Sequence, residues 1–88
     1  MISRHEALAE LAKQLEAMDA EYNLRMKQGQ EALDQRNFAD AKRNFMSAFN
    51  MKPKEELPQE KLAETERLWE LALKAEKEEA EAKKLKEI

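Results

Sequence analysis

Leu8, Leu11, Leu15, Met18, Tyr22, Met26, Gly29 and Leu33 recur at steps of three or four residues, with no helix breaker among them but Gly29. That spacing keeps one face of an α-helix apolar and cannot sit on one face of a strand, whose side chains repeat every two residues. It predicts a helix over 3–35, about 48 Å long. Ser3 and Glu6 form a capping box at its start, the hydroxyl accepting an amide proton while the carboxylate reaches back.

Two further helices follow from the same reasoning. Arg36-Asn37 makes a turn, with Asn37 as N-cap and Asp40 at the positive end of a helix over 38–51. Its apolar residues are Phe38, Ala41, Phe45, Ala48 and Phe49. Pro53 ends it, Lys52 to Leu57 connects, and Pro58 suits the first turn of a helix over 58–86. In that helix Leu62, Trp69 and Leu73 are the expected buried stripe, with Thr65 and Ala72 between. Beyond Lys74 the sequence is Glu, Lys and Ala, where pairs such as Glu79–Lys83 support an exposed helix.

Composition agrees with an all-α fold. Of 88 residues 40% are charged, one is glycine, none is valine, and isoleucine stands only at positions 2 and 88. Strands and their turns need more of all of these except charge. There is no cysteine, so neither a disulfide framework nor a thiolate metal site can form, which fits a reducing compartment. No apolar run approaches the ~20 residues of a membrane span. Residues 1–53 hold eight acids and eight bases and residues 54–88 eleven acids and eight bases, so the net charge of −3 lies in the C-terminal part. No concentrated basic face is left to displace counterions from a nucleic acid.

The spacing Gly29-x11-Ala41-x3-Phe45-x2-Ala48-x4-Pro53, with Phe38 ahead of its second half, resembles one tetratricopeptide repeat over residues 22–55. Ala41, Phe45 and Ala48 fall at i, i+4 and i+7 on one face of the second helix. Gly29, lacking a Cβ, allows the helices to approach closely. Where the family carries a large aromatic and a leucine before the glycine, this chain has Arg25 and Gln28, and Ala32 replaces a usual tyrosine. Leu33, Met26 and Phe38 are left to supply the bulk. The resemblance implies an antiparallel hairpin packed through Gly29, Leu33, Phe38, Ala41, Phe45, Ala48 and Pro53, and a groove for a partner peptide or helix. The third helix, with no turn near residues 71–73, reads as a capping helix over the hairpin. The expected organisation is therefore an N-terminal extension of helix one over 1–21, the hairpin over 22–55, and a capping helix over 56–88 with a charged end.

Chemistry is sparse. His5, the single histidine, has no acid or nucleophile held against it and reads as a surface residue. The glutamates lack the inward-facing histidines of a helical carboxylate metal site. Gly29 lies inside a helix and not in a phosphate loop. No catalytic, metal-binding or cofactor-binding residue is expected. Met18, Met26 and Met46 lie on or beside the apolar stripes and read as core filling.

One surface remains unassigned. A second helix of 14 residues spans only about 21 Å and returns to the height of Tyr22. Leu8, Leu11, Leu15 and Met18 then have no neighbour within the chain, unless helix one bends back onto the third helix. The expectation is a coiled-coil-like seam with another chain. Two functions fit: a non-enzymatic interaction module that self-associates as a dimer through helix one, or a helical spacer or coiled-coil segment of a larger or engineered protein, without a ligand of its own.

Overall fold

The computed structural model describes residues 4–86, and the side chains of residues 6–83. Ser3 of the expected capping box, and the side chains of His5, Lys84 and Lys86, lie outside that range. The chain is all-helical: α1 spans Arg4–Asp34, α2 Phe38–Met51 and α3 Glu56–Lys86. Among the described residues there is no strand. α1 and α2 form an antiparallel hairpin, and α3 packs along α2, its Leu62 and Leu68 joining the core that α1 and α2 share.

Each turn has a local cause. At the end of α1 the Arg36 N–H donates to the Leu33 carbonyl at 3.0 Å and the Asn37 N–H to the Ala32 carbonyl at 2.8 Å. This pair of bonds is a Schellman cap, and it puts Arg36 at φ 60°, a left-handed position usually held by glycine. Asn37 then caps α2, its side-chain oxygen accepting from the Asp40 N–H while its amide donates to the Asp40 carboxylate at 2.7 Å. At the other end the Lys52 N–H still reaches the Ala48 carbonyl, after which Pro53 can no longer continue the ladder. α3 starts at Glu56, two residues ahead of expectation. Glu56 suits the positive end of the helix, and Pro58, two positions on, is still within the turn whose N–H groups have no intrahelical acceptor.

The core is small and central. Leu33, Ala41 and Phe45 are its buried centre, with Met26, Ala32, Phe38, Leu62 and Leu68 packed around them. Ala48, Pro58 and Thr65 are also buried. Across α2 and α3, Phe38 stacks on Trp69 with ring centroids 6.2 Å apart, and the Lys42 ammonium pairs with Glu66 at 3.2 Å. Thr65 is fully buried, and its hydroxyl donates to the Lys61 carbonyl of its own helix at 2.7 Å.

Four expected packing residues stand elsewhere, the first being Met18, which was read as core filling and is 51% exposed on α1. Leu73 is 55% exposed. The stripe that α3 turns toward α2 is Pro58, Leu62, Thr65, Trp69 and Ala72, stepping alternately by four and three, and Leu73 falls one residue beyond it. Pro53 is exposed and acts only by ending α2. Met46 is exposed on the outer side of α2 and fills no core.

The two long helices overshoot α2 in opposite directions. Residues 6–20 at one end and 73–83 at the other are exposed throughout. The molecule therefore measures 81 × 19 × 16 Å, with a radius of gyration of 20.4 Å. A compact domain of this length has about 12 Å.

Candidate interaction surface

An α-helix returns to the same angle after 18 residues, which is five turns. Leu8, Leu11 and Leu15 therefore lie directly in line with Met26, Gly29 and Leu33, the residues over which α2 packs. The face of α1 that is covered in its C-terminal half continues uncovered through its N-terminal half. There Leu8 is 63% exposed, Leu11 51%, Leu15 53% and Met18 51%. α1 runs unbroken from Arg4 to Asp34, and α3 does not lie along its N-terminal half.

Tyr22 marks where the cover ends. Its ring is buried under the end of α2, with the Lys52 ammonium 4.7 Å from the ring centroid. The same ammonium hydrogen-bonds the Asp19 carboxylate at 2.5 Å, fastening the C-cap of α2 to α1. Burial raises the Tyr22 hydroxyl above its ordinary pKa of 10.0; the Glu55 carboxylate adds to the rise and the Lys52 charge opposes it. Lys52 is itself held above its ordinary 10.5, first by the Asp19 hydrogen bond, with desolvation opposing.

The residues flanking the open stripe are small or uncharged for most of its length. With Leu8 and Leu15 in the first position of a seven-residue repeat and Leu11 and Met18 in the fourth, the flanks are Ala7, Ala12, Gln14, Asp19 and Glu21. Glu10, Lys13 and Glu16 stand on the far side. Such flanks let a second helix approach closely.

A second, smaller apolar surface lies on α3. Leu71 and Leu73 are 56% and 55% exposed, and Glu66, Trp69, Glu70 and Leu73 line a shallow open groove. The expected capping-helix residues thus divide: Leu62 and Trp69 pack inward, while Leu73 faces out. Leu68, which joins the core, was not foreseen. The signal for it was the four-three alternation starting at Pro58, beside which Leu68 falls. The hairpin residues Gly29, Leu33, Ala41, Phe45 and Ala48 come together, with Phe38 half-buried at their edge.

Among the described residues no three His, Cys, Asp or Glu side chains gather as a metal site, and no helix is long and apolar enough to cross a membrane. No family model, curated protein or solved structure matches this chain.

Proposed function

We propose that the chain is a non-enzymatic protein-interaction module, a tetratricopeptide-like hairpin with a capping helix, which self-associates through the open face of α1. The observation that carries this reading is the uncovered stripe of Leu8, Leu11, Leu15 and Met18, in line with the part of α1 that α2 covers. Two such stripes meeting would bury eight side chains that are now half or more exposed. That is worth roughly 6–12 kcal/mol before the entropy of association is subtracted. The Gly29–Phe45 contact and the burial of Ala41, Phe45 and Ala48 support the tetratricopeptide part of the reading. A partner peptide or helix in the groove of such a hairpin follows from that likeness.

Sedimentation equilibrium tests it. The parent chain is expected to be a dimer at micromolar concentration, and Leu11→Glu/Leu15→Glu a monomer that keeps its helical hairpin. A parent that stays monomeric at high micromolar concentration would overturn self-association. The second reading, a helical spacer without a ligand of its own, draws on the 81 Å length and the exposed stretch of α3 beyond Ala72. That outcome of the test would favour it.

A further inference from the structure

We infer that the partner on the open face of α1 is a second copy of this chain lying antiparallel, with the two-fold axis at the level of Lys13. This rests on the self-association proposed above and goes further by fixing direction and register.

The position of α2 excludes the parallel arrangement. Leu8, Leu11 and Leu15 share their angle with Met26, Gly29 and Leu33, so a partner helix laid on the open stripe points straight at α2. A parallel partner in register would carry its own residues 22–34 into the space that α2 fills. α1 has no break at which the two helices could diverge. An antiparallel partner avoids this. Its first turn ends beside Tyr22, and its own hairpin lies beyond Arg4 of the first copy.

The stripe is also complementary to its own reverse. Rotation about the level of Lys13 puts Leu8 against Met18 and Leu11 against Leu15. That is the pairing of first with fourth heptad positions that antiparallel helices require. Ala12 then meets Ala12 of the second copy and Gln14 meets Gln14, so no like charges face each other at the centre. At each end Asp19 and Glu21, already paired with Lys52 and Arg25 of their own chain, stand beside the first turn of the opposite α1, where carboxylates are favoured by the positive end of the helix dipole.

The resulting dimer is a rod of about 130 Å, with the two hairpins facing away from each other and the two α3 ends at its extremities. The chain thereby becomes bivalent, presenting the same α3 surface twice at a set separation.

Because the chain has no cysteine, nitroxide labels at single introduced cysteines read the geometry directly. Lys27 and Glu31 are exposed, lie clear of the stripe, and suit Lys27→Cys and Glu31→Cys. Pulsed electron resonance on the labelled dimers should give separations of about 42 Å and about 54 Å, growing by about 12 Å over four residues. Separations that do not grow with position, both below about 20 Å, would mean a parallel dimer and would overturn the inference while leaving self-association intact. Growth of the same size from a different starting value would overturn the register alone. Sedimentation of the same samples as monomers would overturn both the inference and the function on which it rests.

Discussion

Gly29 of α1 lies flat against the ring of Phe45 of α2. A Cβ placed on Gly29 would fall 2.6 Å from Phe45 Cε1, 2.7 Å from Cδ1 and 2.9 Å from Cζ, closer than such atoms approach. Phe45 is fully buried and has little room to retreat. The hairpin spacing is therefore set by one missing side chain opposite one large ring.

This contact gives the first prediction. Gly29→Leu should cost about 1–3 kcal/mol through overpacking, although leucine is the better helix former by about 1 kcal/mol. Phe45→Ala should cost about 3–5 kcal/mol by leaving a cavity. The double variant should lose less than the two costs added, because each change relieves the other. Urea denaturation of the three variants measures this, and a Gly29→Leu chain as stable as the parent would contradict it.

Arg36 should be replaceable with profit. A side chain at φ 60° costs about 1–2 kcal/mol against the right-handed region, and the backbone bonds of the Schellman cap do not involve the guanidinium. Arg36→Gly removes that strain but adds freedom to the unfolded chain, for a net gain of up to about 1 kcal/mol. Arg36→Val, β-branched at the same φ, should be less stable than the parent. Thermal melts of the pair read both signs.

Thr65 tests how α3 seats on α2. Its hydroxyl bonds only to the Lys61 carbonyl, which already accepts a backbone bond in the helix. Thr65→Val keeps the shape and strands no acceptor, so stability should stay equal or rise by up to about 1 kcal/mol. Thr65→Leu should cost about 1–3 kcal/mol, since the position is fully buried. Equal stability for the leucine variant would show that α3 is held elsewhere.

The Tyr22–Lys52–Asp19 junction predicts an alkaline limit. Both Tyr22 and Lys52 hold their protons more tightly folded than unfolded. Their contribution is complete below pH 10 and is lost as pH rises through the raised values. Stability to urea should fall above pH 10, and the fall should be shallower in Lys52→Met and Tyr22→Phe. A parent whose stability is flat to pH 11.5 would contradict it.

The helices and their ends were legible in the sequence because the forces that make them are local. A period of 3.6 residues, the Asn37 cap with Asp40 three residues on, and the prolines after Met51 act within a turn or two of themselves. The Gly29–Phe45 meeting was legible too, since the two residues lie on facing stripes of adjacent helices joined by a short turn. The orientation of α3 was not. Leucines at 62, 68, 71 and 73 with Trp69 leave several faces apolar, and local pattern does not choose among them. The choice came from contact with α2: Phe38 stacks on Trp69, Lys42 reaches Glu66, and the small Thr65 is fully buried. Leu73 was thereby turned outward and Leu68 inward. Likewise the sequence determined that α1 carries one unbroken apolar face, but only the tertiary structure decided where its cover ends. α2 stops at Met51 and Lys52 closes over Tyr22, so four apolar side chains that obey the same period as the core are left in water. A repeating pattern specifies which residues need burial, and only the lengths and directions of the packed helices determine which of them obtain it.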